Sequence, residues 1–315
     1  MRLAFAACAA CFIATGCAST PVDAPSDRRI AISFDDAPLG PGPRGDWDRA
    51  GTLITALEAA ETEAVFFATT RGFVTRADGR ERVERYGLAG HVIANHTHTH
   101  PWLYKTDADV YLADIDEAER QLEGIPNRRD WFRFPFLDRG RRDTDKRAAV
   151  RQGLIERGLG DGYVTVDTYD WHLDSRWRSA MRDGQAVEER ALEKVYVAMV
   201  VDASEKAYDL ADAWLGEQPV HVLLLHENDS AASFVGPAIE ALREAGWTIV
   251  TPDEAYANRL SQPDVSVGFT GAGRVAALAW EAGARGAETF DHWSASEDGI
   301  NQRLADEGVI ALPKE

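Results

Sequence analysis

Residues 30–36 read IAISFDD, an apolar strand that runs directly into two adjacent carboxylates. Further apolar runs follow and alternate with helical patterns as far as about residue 260, at 64–68 (AVFFA), 91–94, 131–134, 163–166, 220–225 (VHVLLL) and 247–250. This alternation predicts parallel strands with helices outside them. About seven strand–helix units favour an α/β fold that closes, or nearly closes, into a barrel over an open doubly wound sheet.

Polar residues stand at the end of five of these predicted strands. Enzymes built on parallel barrels carry their reactive groups at the carboxyl ends of the strands. The sequence therefore predicts one site at that end of the barrel, formed by the segments Ser33–Asp36, Asn95–His100, Arg133–Phe136, Asp167–Trp171 and His226–Asp229.

His96 and His100 are four residues apart, a spacing that puts both imidazoles on one face if the segment is a helical turn. Two imidazoles and one carboxylate, with a fourth position open, are a ligand set that suits zinc. If the segment is extended, His98 joins the other two, and a site with three histidines is the alternative.

Asp35 and Asp36 are neighbours at a strand end, so strand alternation points their side chains in opposite directions. One carboxylate is then free to bind a metal while the other acts as a general base. The guanidinium of Arg133 can hold a carboxylate through two hydrogen bonds. Asp170 can steer His226 through a carboxylate–imidazole hydrogen bond, which raises the pKa of His226 so that it can donate a proton.

These five segments, in this order, resemble the polysaccharide deacetylase family, carbohydrate esterase family 4 with its NodB-like fold. The resemblance covers about residues 28–258. It implies a deformed (β/α) barrel of about seven parallel strands that removes acetyl groups from sugars. It also implies a divalent metal, with zinc expected and cobalt or another divalent ion as alternatives.

The first three motifs imply a metal centre and a base. Asp35 is similar to the family's base, and Asp36, His96 and His100 are similar to its metal ligands. Arg133 would then tether Asp35 as the corresponding arginine does in the family.

The last motifs imply an acid and a substrate pocket. The backbone N–H of Phe136 would help to hold the oxyanion, and Trp171 would form a wall of the site. Asp170 would tune His226, the acid, and Leu224 would line a pocket for the acetyl methyl group.

The function expected from the resemblance is a metal-dependent hydrolase of N-acetylated sugars in a cell-envelope or extracellular glycan, similar to peptidoglycan or chitin. One alternative is an O-acetyl esterase acting on a xylan-like glycan. Another is a non-catalytic carbohydrate-binding protein of the envelope. The formal charge of −18, from 52 acidic and 34 basic residues, argues against a nucleic acid as partner.

The N-terminal segment predicts export. A positive start, an apolar run and the small residues before Cys17 resemble a bacterial lipoprotein signal, in which that cysteine is lipidated. We expect attachment to a membrane through Cys17, on the periplasmic face in a Gram-negative cell. The alternative is an ordinary secretory peptide that is cut near Ala18 and releases the protein.

The expected organisation has four parts. Residues 1–17 form the signal, and residues 18–27, which are small and Pro-rich, form a linker. Residues 28–260 form the catalytic domain, and residues 261–315 form a C-terminal extension of unknown role. The chain's three cysteines all lie within the first 17 residues, so the folded body has neither disulfides nor thiolate metal sites.

Overall fold

The computed structural model describes residues 27–45, 47–257, 265–267 and 272–309. The predicted signal, its Cys17 and nearly all of the predicted linker lie outside these residues. Seven strands are described: β1 (Arg29–Ala37), β2 (Ala64–Ala68), β3 (Val92–Asn95), β4 (Arg128–Phe132), β5 (Gly160–Asp161), β6 (Val220–His226) and β7 (Thr248–Ile249).

The strands form one parallel sheet in the order β5-β4-β3-β2-β1-β6, with β7 paired to the start of β1. In β2 all five residues, AVFFA, are buried. A strand that is covered on both faces reads as a continuous apolar run, which is typical of parallel sheets with helices outside.

The segment that begins with β5 brings the two ends of the sheet together. Asp161 pairs with Phe132 of β4, and five residues later Val166 forms a parallel bridge with Leu223 of β6. The sheet thus curls into a deformed, nearly closed barrel. This confirms the predicted α/β barrel of about seven parallel strands.

In the described residues, twelve α-helices connect and cover the strands. Short polar side chains cap several of them; Asp48, for example, accepts a hydrogen bond from the Gly51 N–H at the start of the first helix. Their bounds are α1 (Arg49–Ala59), α2 (Arg71–Thr75), α3 (Gly79–Leu88), α4 (Ala108–Leu122), α5 (Thr144–Glu156), α6 (Asp170–Arg182), α7 (Glu189–Leu215), α8 (Asp229–Glu244), α9 (Pro252–Tyr256), α10 (Gly273–Ala282), α11 (Ala287–Phe290) and α12 (Glu297–Asp306).

The structure differs from the predicted elements in two places. The strand expected at 163–166 is reduced to the single bridge at Val166, because the chain there crosses from β4 to β6 and stays beside neither for long. Helix α6 was not expected; it starts at Asp170, inside the motif whose polar residues suggested a strand end.

The extension packs into the barrel core. Val275, Ala276 and Ala279 of α10 join an apolar cluster with residues of β6, while Ile300 and Leu304 of α12 join the cluster that includes α7 and α8. Among the helices of the described ranges, none is both long enough and apolar enough to span a bilayer.

Candidate active site

A bulge at the end of β1 positions the two carboxylates. Asp35 pairs with Phe67 of β2, the next pair is Ala37 with Ala68, and Asp36 is left between them with a φ of +67°. The bulge replaces the strand alternation that the sequence predicts. Both carboxylates therefore approach one histidine: Asp35 Oδ2 and Asp36 Oδ1 lie 3.6 and 3.8 Å from His96 Nε2.

The histidine segment is neither a helical turn nor an extended strand. His96 follows β3 directly, and the loop after it turns through Thr97 and His100, with φ values of +70° and +58°. This loop brings His100 Nε2 to 3.4 Å from Asp36 Oδ1. His98 turns elsewhere, with its Nδ1 2.9 Å from Thr70 Oγ1. The three-histidine alternative does not form.

Asp36, His96 and His100 form a cluster whose ligand atoms all lie within 4.8 Å of one another. His96 Nδ1 lies 2.9 Å from the carbonyl oxygen of Arg133, which can only accept, so the ring proton sits on Nδ1 and Nε2 faces the cluster unprotonated. Burial, and then the neighbouring His100, lowers the pKa of His96 to about 3. A neutral imidazole with a free Nε2 is the form that binds a divalent metal, so these residues fit one.

Arg133 is buried and hydrogen-bonds to Asp35 and to several groups around it. Its guanidinium donates to Asp35 Oδ1 at 2.6 Å, to Ser33 Oγ at 2.8 Å, to the Gly162 carbonyl at 2.8 Å and to the Tyr256 hydroxyl at 2.7 Å. Burial raises the pKa of Asp35, and the charge of Arg133 acts against that rise. No pattern in the sequence pointed to Tyr256, because it lies 123 residues from Arg133 in a helix of five residues.

His226 ends β6 beside Asp35, with which it is in register. Its Nδ1 lies 2.7 Å from Asp170 Oδ1, and its backbone N–H donates to Asp170 Oδ2 at 2.8 Å. Burial on its own would lower the pKa of His226, but the charge of Asp170 and this hydrogen bond raise it to about 10. The imidazole is therefore cationic at neutral pH, with Nδ1 held by Asp170 and Nε2–H available as a donor.

The other three predicted residues lie around this centre. Leu224 is buried two residues before His226, so both side chains leave the same face of β6. Phe136 has a φ of +58°, and its ring lies 4.6 Å from that of His100. Trp171 is 41% exposed in the first turn of α6.

A buried ion network that the sequence analysis missed lies behind the acid. Glu227 is fully buried and accepts from Arg82, Arg49 and the Tyr86 hydroxyl, while its backbone N–H donates to the Asp35 carbonyl at 3.0 Å. The run HEND at residues 226–229 could have indicated this network, because four consecutive polar residues follow the buried end of an apolar strand.

The extension also contacts the segment that carries the acid's partner. The Tyr169 N–H donates to the Ser294 carbonyl at 2.7 Å, and the Arg274 N–H donates to the Val164 carbonyl at 2.6 Å. His172 Nε2 lies 3.1 Å from Asn301 Oδ1. The backbone on both sides of Asp167–Asp170 is thus braced by residues after 272.

Known proteins are similar in sequence to the part of the chain that carries most of these residues. The family model described as polysaccharide deacetylase matches residues 23–154, the part of the chain that supplies Asp35, Asp36, His96, His100 and Arg133. The chain is therefore similar to this family over residues 23–154.

Three relatives carry deacetylase names. The chain is 33% identical to a chitooligosaccharide deacetylase from Rhizobium leguminosarum bv. trifolii, over 46% of this chain and 60% of that protein. It is 24% identical to chitin deacetylase 2 from Saccharomyces cerevisiae, over 58% and 53%. It is 27% identical to a peptidoglycan-N-acetylglucosamine deacetylase from Bacillus cereus, over 45% and 46%.

The chain therefore spans about half the length of the curated relatives it matches. Among solved structures, a family 4 carbohydrate esterase from Streptomyces lividans aligns over 72% of this chain and 95% of that chain, with a TM-score of 0.47 and 18% identity.

Proposed function

We propose that this chain is a metal-dependent hydrolase that removes acetyl groups from N-acetylated sugars of a peptidoglycan- or chitin-like glycan. The observation that carries the proposal is the arrangement around the ligand cluster. A carboxylate held by Arg133 lies on one side of it, and a cationic imidazole held by Asp170 lies on the neighbouring strand. The names of the three relatives support the same reaction.

Asp36, His96 and His100 are the residues that would hold the metal. Two imidazoles and one carboxylate with an open position suit zinc, and cobalt is an alternative with similar preferences. The cation would supply Lewis-acid chemistry, polarising the acetyl carbonyl and acidifying water.

Asp35 acts as the base in this proposal. Its Oδ1 is fixed by Arg133 at 2.6 Å, which leaves Oδ2, 3.6 Å from His96 Nε2, to accept a proton from the attacking water. Burial raises the pKa of this carboxylate, which makes it a stronger base than an exposed aspartate.

His226 acts as the acid. A departing amine is a poor leaving group unless it is protonated, and the raised pKa keeps a proton on this imidazole at neutral pH. The Phe136 N–H is a donor for the oxyanion that forms on the acetyl carbonyl, an interaction whose loss typically costs about 3 kcal/mol. An acid that keeps its proton at neutral pH assists amide cleavage more than ester cleavage. The reason is that an alkoxide leaves more readily without protonation than an amide anion does.

Two variants test the division of roles, with His98→Ala as the matched control because His98 lies between the ligands but outside the cluster. We expect Asp35→Asn to keep its metal and lose activity by about 10²–10⁴-fold, because asparagine cannot accept a proton and Asp35 is not one of the three ligands. We expect His96→Ala to lose both metal and activity, and His98→Ala to keep both. Metal analysis and acetate release from N-acetylchitooligosaccharides and acetylxylan, with and without chelator, measure this.

Near-wild-type acetate release by Asp35→Asn would overturn the role of that carboxylate. If the wild-type protein released acetate at the same rate with and without chelator, the metal requirement would be overturned. Faster turnover of acetylxylan than of the N-acetylated sugars would make the protein an esterase.

We propose further that the protein is exported and attached to the cell envelope through a lipid on Cys17, on the strength of the residues before that cysteine. Expressed in a bacterium, the wild-type chain should partition with membranes, and Cys17→Ala should leave them. A Cys17→Ala protein that stays with the membrane fraction would contradict lipidation at this residue.

A further inference from the structure

A cavity of about 960 Å³ lies between Tyr169 and the extension. Its volume is in the range of sites that take small molecules or short oligomers. The ligand cluster of Asp36, His96 and His100 is not part of its wall. The cavity is therefore a second feature at this end of the barrel, built almost wholly from residues after 265.

Aromatic side chains line this cavity: Tyr169, Trp280, Phe290 and Trp293. Trp280 is 44% exposed, and its ring lies 5.8 Å from that of Phe290. Of the four rings Trp280 is exposed, while the other three are half-buried. Apolar ring surface that faces water around one opening points to a ligand with apolar faces.

The wall is held in place before any ligand arrives. Trp293 Nε1 donates to Asp202 Oδ2 at 3.0 Å, and the Arg303 guanidinium lies 4.6 Å from the Trp293 ring. The Arg285 guanidinium lies 4.1 Å from the Trp280 ring and covers one of its faces. A rigid wall binds more tightly because less motion is lost on binding.

One residue of the cavity wall is the neighbour in the chain of Asp170, the partner of the proposed acid. Tyr169 is that residue and immediately precedes Asp170, the partner of His226. The Tyr169 ring lies 5.2 Å from the half-exposed ring of Trp171, which extends the row of aromatics onto the first turn of α6. A ligand that extends from the cavity along Tyr169 and Trp171 would therefore approach the start of α6, where Asp170 lies.

We propose that this cavity binds the sugar units of the glycan chain that lie beyond the acetylated residue. Pyranose rings have an apolar C–H face that packs on aromatic rings and a rim of hydroxyls. Carboxylates at the opening, Asp291 and Glu297, would accept hydrogen bonds from these hydroxyls and would disfavour anionic chains. The inference rests on the proposed function and specifies its substrate as an oligomer.

The test is the dependence of the reaction on chain length. With N-acetylchitooligosaccharides of two to six units, we expect Trp280→Ala to lower kcat/KM on the hexamer by about tenfold, the usual cost of losing one aromatic anchor, and to leave the dimer unchanged. Trp214→Ala is the matched control, because Trp214 is 38% exposed on α7 and does not line the cavity.

An equal fall for dimer and hexamer would overturn the inference, since it would mean that Trp280 only supports the fold. Equal behaviour of Trp280→Ala and Trp214→Ala on the hexamer would overturn it too.

A binding measurement separates this inference from the proposed function. By calorimetry, the hexamer should bind Asp35→Asn about tenfold more tightly than the double variant Asp35→Asn with Trp280→Ala. If the wild-type chain releases no acetate, the proposed function fails, and this measurement alone decides on the cavity. Equal binding by the two variants overturns it.

Discussion

The ends of β3 and β6 carry two histidines, the buried His96 and the half-buried His226, whose pKa values shift in opposite directions. At the end of β3, His96 faces the carbonyl of Arg133, and its pKa is lowered to about 3. At the end of β6, His226 faces the carboxylate of Asp170, and its pKa is raised to about 10. Burial lowers the pKa in both cases, so the difference comes from the partner of Nδ1.

The two ends also differ in what holds them. The β3 side is assembled mainly from neighbouring strands within residues 33–133, with the Gly162 carbonyl and Tyr256 of α9 added as partners of Arg133. The β6 side depends on α6 and on the extension, which binds the backbone of Tyr169. The ligand side is therefore built into the sheet, whereas the acid side is built from elements packed on its edge.

Among the variants that test the difference between His96 and His226, the largest effect is expected from Asp170→Asn. Without the carboxylate, burial acts with less opposition and lowers the pKa of His226, so a smaller fraction of the imidazole is protonated at pH 7. We expect kcat on an N-acetylated oligosaccharide to fall by about 10²–10⁴-fold, with a smaller fall on acetylxylan. Steady-state kinetics and NMR titration of the His226 imidazole measure both consequences.

Metal content provides the control for this variant. Asp170→Asn should bind the metal as the wild type does, because Asp170 contacts no residue of the ligand cluster. Loss of metal together with activity would show that the two sides are not separate.

A moderate effect is expected on stability as a function of pH in the metal-free protein. His226 has a raised pKa in the folded state, so its stabilisation is complete below about pH 6.5 and is lost as the pH rises towards 10. His96 has a lowered pKa, so the folded state loses stability as the pH falls from about 6.5 towards 3.

Urea unfolding from pH 4 to pH 10 measures these slopes. Asp170→Asn should flatten the decline of the free energy of unfolding on the alkaline side, and His96→Gln should flatten the decline on the acid side. If each variant left its own side unchanged, the assignment of opposite pKa shifts would be wrong.

The smallest effect is expected from Gly273→Ala, which tests the bracing by the extension. Gly273 has a φ of +79°, and a Cβ there would lie 2.6 Å from the Val164 carbonyl oxygen. We expect the free energy of unfolding to fall by about 1–3 kcal/mol. Gly308→Ala is the control, because Gly308 has a φ of +66° with nothing within 4 Å and should cost only about 1 kcal/mol.

Chemical denaturation of the two variants separates the clash from the backbone preference. Equal losses would mean that the contact with Val164 does not constrain the extension. Metal affinity should be the same in both variants, since the ligand side does not rest on α10.

The sequence predicted the barrel and the five segments that meet at its end, because apolar strands and the polar residues after them are local patterns. The resemblance to the polysaccharide deacetylases implied that Asp36 joins His96 and His100 in one ligand set, and the ligand atoms of these three residues lie within 4.8 Å of one another. The sequence did not predict the bulge at Asp36 or the left-handed turn at His100, since both are backbone conformations that residue type only permits.

Residue types and their order along the chain determined which groups meet at the barrel's end, because parallel strands all deliver their last residues to the same edge. Only the tertiary structure decided what each group became. A carbonyl or a carboxylate beside Nδ1 set the charge of each histidine. Tyr256 and Ser294 hold Arg133 and the backbone of Tyr169 in place, although each lies more than a hundred positions along the chain from its partner. Contacts of that kind depend on packing in three dimensions and leave no periodic signal in the chain.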